Sequence, residues 1–201
     1  MRVHTYVITT DCGSAPNYDA PAPTLTICKP RIRRHAVRGE LVIAFNGRTL
    51  SPEPHSVCWA GIIDEVIPLA DYWSDPRFVA KQPHLSETPD NIYREENGIL
   101  VQIPNNVHDA GNVKTDVSGR NSLIFSEFWR VEGRYEILPE RFGMRMSGNR
   151  RTEPVHEIDY ASWRKLRSWL DTVGIRPMEM TRFALGRPSQ TRARRRTCRR
   201  C

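Results

Sequence analysis

The stretch from Leu25 to Asn46 constrains the fold of this chain more than any other. A short apolar run (Leu25, Ile27, Cys28) leads into Lys29-Pro30 and a basic turn carrying Arg31, Arg33, Arg34 and Arg38. Gly39 ends the turn, and Leu41-Val42-Ile43-Ala44-Phe45 follows, a run too apolar to lie on a surface. Pro30 suits the first position of a short helix, where its missing N–H costs nothing. The run between Gly39 and Asn46-Gly47 has the length of one buried strand. Four cations therefore sit on a turn pinned between two core segments. That arrangement suits an anionic ligand, and an ordinary solvated basic turn is the alternative.

The net charge of +7 does not carry over to the folded body. Arg187 to Cys201 holds seven Arg and no acid; without them 23 basic and 23 acidic residues remain. The expected organisation is one domain over 1–186 followed by a disordered Arg-rich tail over 187–201, which gives the tail two readings: nonspecific nucleic-acid binding or no selected role. At 26% charged and 39% hydrophobic the composition is that of a soluble globular protein. No apolar run approaches the roughly 18–20 residues that span a bilayer. The N-terminus lacks the pattern of a signal peptide, so a cytoplasmic protein without a membrane partner is expected. Cys28 and Cys58 read as buried small hydrophobes. Cys198 and Cys201 form a C-x-x-C with no second pair nearby, so no metal is expected.

Along the chain, strands are predicted at Val3–Thr9, Leu41–Phe45, Ser56–Ile67, Gly98–Pro104 and Ser122–Val131. Gly61, inside the third, suggests a bulge or a close backbone approach. Pro68 to Trp73 reads as one helical turn, Val107 to Arg120 as a polar loop, and 133–155 as irregular and basic, with Arg141, Arg145, Arg150 and Arg151. One longer helix is capped by Asp159 and buries Trp163, Leu166, Trp169 and Leu170 before Gly174. The sum is an α+β domain or small barrel.

The familiar catalytic and phosphate-binding motifs are missing, and no cofactor is expected. The six His are scattered singly; His108 alone lies in a loop dense with polar groups, where solvation is the plain reading. Three polar clusters interrupt apolar segments: Asp11 to Asn17, Lys29 to Arg34, and Asp90-Asn91-Ile92-Tyr93. Asp and Asn match base edges, Tyr offers a stacking face, and Lys or Arg a phosphate contact. Each also has a structural explanation in turns and packing.

These pieces together resemble the nucleotide modification associated domain family, its second type. The resemblance lies in D-x-G-x-A-P-N (Asp11 to Asn17), C-K-P-x-I-R-R (Cys28 to Arg34), R-G-E-L-V-I (Arg38 to Ile43), Asp71-Tyr72-Trp73 with Asp75-Pro76-Arg77-Phe78, Asp90 to Tyr93, and Phe125-Ser126-Glu127-Phe128. It runs from about Arg2 to Leu170. Val37 to Phe78 is also similar to the EVE branch of the PUA-like folds. The resemblance implies a small PUA-like mixed β-barrel with short helices and one C-terminal helix. It also implies a role in recognising or making modified nucleobases, in phage-linked settings.

The leading expectation is a domain that binds a modified nucleobase, nucleotide or DNA in a base hypermodification system. Lys29, Arg33 and Arg34 would hold phosphate, Asp11, Asn17, Asp90 and Asn91 would read edges, and Tyr93 or Trp59 would stack. One alternative is an enzyme using Asp11, Asp90 or Asp116 as general base. The other is a non-catalytic interaction module.

Overall fold

The apolar run after Gly39 forms a strand buried along its length, and its neighbours in the sheet explain why. The computed structural model describes residues 1–132, 135–144 and 155–175. The expectations for Arg145, Arg150 and Arg151, and for the tail with Cys198 and Cys201, lie outside the described residues.

In chain order the elements begin with β1 (Arg2–Ile8), β2 (Thr24–Leu25), α1 (Pro30–His35), β3 (Leu41–Asn46), β4 (Val57–Pro68) and α2 (Leu69–Ser74). They continue with β5 (Tyr93–Glu96), β6 (Ile99–Gln102), α3 (Val113–Ser118), β7 (Asn121–Arg130), β8 (Val155–Glu157) and α4 (Tyr160–Val173). The class is mixed α+β. Six strands are hydrogen-bonded in the order β2-β7-β4-β3-β1-β8. β1 and β3 run parallel, from Val3 opposite Leu41 to Ile8 opposite Asn46. A parallel pair requires a crossover connection, and residues between the two strands, α1 among them, supply it. β3 with β4, β1 with β8 and β2 with β7 are antiparallel. No helix among the described residues is long and apolar enough to cross a membrane.

The chain divides into two compact units. The first comprises residues 1–9, 39–63 and, of those described, the chain from 126 onward; the second comprises 10–38 and 64–125. In the first unit, Val3, Leu41, Ile43, Phe45, Val57 and Ala60 meet Trp129, Leu138, Trp163, Leu166 and Leu170 in one apolar core. α4 starts where Asp159 Oδ1 accepts the Ser162 N–H at 2.6 Å, satisfying an N–H the helix leaves open. It buries Trp163, Leu166 and Leu170. The strand irregularity falls at Cys58, because Ala44 faces Trp59 while Phe45 faces Val57. The bulge is thus not at Gly61, which sits in the regular ladder opposite Val42.

The second unit is irregular. β5 and β6 form a separate hairpin through Asn97 and Gly98, whose φ angles of 53° and 80° are those of the tight turn such a dipeptide favours. The segment read as a polar loop over Val107 to Arg120 contains α3. A 3-10 turn, Ala110–Asn112, runs into it and carries a reciprocal cap: Asp109 Oδ1 accepts from the Gly111 N–H, and the Asp109 N–H donates to Asn112 Oδ1. The helix is too short for its apolar positions to show a period.

Candidate functional site

Arg33 organises the centre of the second unit. Its side chain is fully buried on α1, and its guanidinium donates to three carbonyls: Nε to Cys28 at 2.6 Å, Nη1 to Asn121 at 2.9 Å and Nη2 to Asp116 at 2.5 Å. A planar fork of donors is suited to such a convergence. Asn121 returns a bond from Nδ2 to the Arg33 carbonyl at 3.1 Å. A Cβ at Gly119 would overlap the Arg33 guanidinium, so any larger residue there would have to displace the clamp.

What this clamp holds in place is a cluster of three reactive side chains, Cys28, His108 and Asp116. Asp116 on α3 accepts the Cys28 backbone N–H through Oδ1 at 2.8 Å. Its Oδ2 accepts the Tyr93 hydroxyl at 2.9 Å and meets His108 Nδ1 at 2.5 Å. The other ring nitrogen, His108 Nε2, lies 3.4 Å from Cys28 Sγ. As a carboxylate, Asp116 can only accept, so the imidazole proton belongs on Nδ1 and the Nε2 lone pair faces the sulfur. Asn105 Oδ1 fixes the approach of His108 by accepting the Val107 and His108 N–H groups. Cys28 and Lys29 both adopt left-handed backbone, at φ 59° and 42°, where L-residues lose roughly 1–2 kcal/mol each. Such strain is found where a side chain must be held against local preference.

The same three residues also have the chemistry of metal ligands, correcting the expectation of no such constellation. One donor atom from each lies within 4.8 Å of the other two, so the same cluster has the spacing to converge on one ion as well as to pass a proton through the imidazole. Cys28 takes part in a disulfide in this structure, so its thiol chemistry belongs to the reduced protein. Burial holds the Tyr93 hydroxyl strongly to its proton, with the Asp116 charge acting in the same direction; Tyr93 is thus a donor to Asp116.

A second buried polar group surrounds Asp90. Its Oδ2 accepts from Thr24 Oγ1 at 2.6 Å and its Oδ1 from the Tyr72 hydroxyl at 3.0 Å. Lys81, fully buried, donates to the Ala22 carbonyl at 2.7 Å and Thr24 Oγ1 at 2.9 Å. Burial pushes the Asp90 carboxyl above its ordinary range, against the pull of the Lys81 charge. Burial pulls Lys81 down, against the push of Asp90. Every polar atom named here has a partner within the fold, which describes a structural knot.

The residues singled out from sequence are placed as follows. Asp11 is exposed and caps its own turn by accepting the Gly13 N–H. Asn17 is buried, donating to the Thr88 carbonyl and accepting from Asp19. Lys29 is half-buried, and Arg34 is exposed and donates to the Ser118 carbonyl. Asn91 donates to the Tyr72 and Phe78 carbonyls, and its Oδ1 is buried without a hydrogen bond. Trp59 lies in the first unit, stacked on Phe128 at 5.0 Å and edge-on to Tyr6 at 5.9 Å. The second unit thus brings together Arg33, Tyr93 and Asp116 from that set, around a sulfur and an imidazole assigned to packing and to solvent. Cys28 is indeed buried, whereas Cys58 is half-buried. His108 is 4% exposed, not solvated. The available signal was the polar loop that holds both His108 and Asp116; nothing in the spacing tied Cys28 to them.

No curated protein and no solved structure matches this chain. The model of one family, nucleotide modification associated domain 2, matches residues 1–194. That match spans the clamp, the thiol and the knot around Asp90, and the chain belongs to the nucleotide modification associated domain 2 family.

Proposed function

We propose that this protein is an enzyme of a nucleotide modification system that acts on a nucleobase or nucleotide through Cys28 in its reduced form. The observation that carries the proposal is the Cys28–His108–Asp116 cluster. A thiol within reach of an imidazole whose far nitrogen is held by a carboxylate is the arrangement that activates a sulfur nucleophile. His108 Nε2 takes the thiol proton, Asp116 stabilises the resulting imidazolium, and the sulfur displaces a leaving group from an electrophilic carbon of the substrate, that group departing with the proton from His108. Water, losing a proton to His108, then displaces the sulfur from that carbon, and the thiolate regains its proton from the imidazolium. Asp116 therefore orients the base, in place of acting as the general base itself. The family supports the substrate class, a nucleotide or DNA.

The domain over 1–186 carries this function and the tail over 187–201 is an accessory. A second reading is favoured by burial: Cys28 is 2% exposed and Asp116 fully buried, as suits a rigid support for a reader. In that reading the protein binds a modified nucleobase in DNA on a PUA-like scaffold. The exposed Arg31 and Arg34 with the half-buried Lys29 would then meet phosphate, and Arg33 would only brace them.

The test is incubation of the full chain, with reductant, with nucleotides and with DNA carrying ordinary and hypermodified bases, followed by mass analysis of the digest. Turnover is expected in the wild type, and its loss by about a thousandfold in Cys28→Ser, with the fold intact. A mass-silent wild type that still prefers one modified base would replace the enzyme with the reader.

A further inference from the structure

We infer that the outward face of α4 is a binding groove for a single strand of nucleic acid. It encloses about 630 Å³ and is lined by Arg141, Arg164, Lys165, Ser168, Trp169 and Thr172. The helix positions recur at three- and four-residue spacing, so these side chains share one side of α4, opposite the buried Trp163, Leu166 and Leu170. Arg141 comes from the 3-10 turn Glu140–Phe142, where its guanidinium lies 5.0 Å from the Phe142 ring centre.

Three features select the ligand. Arg141, Arg164 and Lys165 are all exposed, and no acidic side chain is among the described residues lining the groove. Asp159 acts on Lys165 from the helix start, while Arg167 is engaged by Glu127 at 2.6 Å and does not line the groove. Trp169 is half-buried, with its packed side against the core, which fixes the ring and leaves part of it in the groove beside two hydroxyls. Cations following a backbone beside a fixed aromatic face are how unpaired strands are held without sequence preference. A duplex offers no free base face for Trp169.

The inference rests on nucleic acid being the partner and is independent of thiol chemistry. Its test reads binding alone, so its failure is distinguishable from failure of turnover. The full chain is titrated against a labelled oligo-dT strand, and against the same strand made abasic, at several salt concentrations. Arg164→Gln with Lys165→Gln is expected to weaken binding about tenfold and to flatten the salt slope by about 1.4, at roughly 0.7 for each phosphate no longer neutralised. Arg48→Gln with Arg94→Gln removes equal charge from two exposed sites and is expected to change little. Trp169→Leu, which keeps an apolar side chain against the core, is expected to weaken oligo-dT severalfold and the abasic strand not at all. Equal losses in the two double variants would overturn the groove, since the Arg-rich tail or overall charge would then account for binding. Equal effects of Trp169→Leu on both strands would overturn the stacking role, and so would tighter binding to anionic vesicles than to oligo-dT.

Discussion

The two units bury different things. The first packs β-branched, leucine and tryptophan side chains into a continuous apolar core. The second buries Arg33, Lys81, Asp90, His108 and Asp116 among small hydrophobic clusters of a few residues each. Burial of charge costs far more than burial of methyl groups unless every donor and acceptor is met. In the second unit they are largely met, by backbone carbonyls for Arg33 and Lys81 and by hydroxyls and N–H groups for Asp90 and Asp116. An apolar core tolerates changes of shape that preserve volume, whereas a polar one depends on atom-by-atom pairing. Reactive groups held at fixed angles are therefore found in the second unit.

The strongest test of that contrast is at Arg33. Arg33→Leu removes the guanidinium that bonds the carbonyls of Cys28, Asp116 and Asn121, and is expected to destabilise the protein by about 3–5 kcal/mol. Arg33→Lys should recover little, because a single ammonium cannot reproduce the fork. Urea unfolding of both variants decides it, and a lysine variant as stable as the wild type would break the comparison.

Next comes the apolar counterpart. Leu166→Ala on α4 is expected to cost about 2–4 kcal/mol through the cavity it leaves, while Leu166→Met should cost under about 1.5 kcal/mol. If methionine proved as damaging as alanine, the first unit would be no more tolerant than the second.

The smallest effect is at the surface of the second unit. Arg77 donates to Glu65 at 2.7 and 2.9 Å and to Asp75 at 2.7 to 3.1 Å. The Arg77 hydrogen bonds hold both carboxyls below their ordinary values near 4.5 and 3.8. A carboxylate depressed in the folded state stabilises it above the ordinary value, and that contribution is lost as pH falls through the folded value. With Arg77 46% exposed, Arg77→Met should cost no more than about 1 kcal/mol at pH 7. The difference should shrink as the medium is acidified below pH 4, with unfolding followed at both values.

The contrast also explains what could be read from sequence. β1, β3, β4, β7 and α4 carry long apolar or periodic runs, and all five were legible with their ends nearly right. β5 and α3 were not, because four to six residues with little burial leave no period to detect. At the site, Arg33 and Tyr93 are visible as members of polar clusters and Asp116 as a candidate base, but the contacts they make are not. Arg33 looked like a phosphate ligand because its cluster is basic; the fold instead turns it inward to three carbonyls. Cys28 looked like filler because its neighbours are apolar, and only the fold brings His108, eighty residues away, to its sulfur.

The parallel pairing of β1 with β3 has a further consequence, for biosynthesis. The first unit is assembled from separated pieces of chain, and Leu166 and Leu170 complete a core that begins at Val3. At about 5–20 residues per second, the ribosome needs on the order of 8–30 s between making the first of these side chains and the last. The described part of the second unit is complete in sequence by Phe125. Through that interval β1, β3 and β4 wait without their covering helix, and a nascent chain stalled before Tyr160 would present their apolar side chains to chaperones.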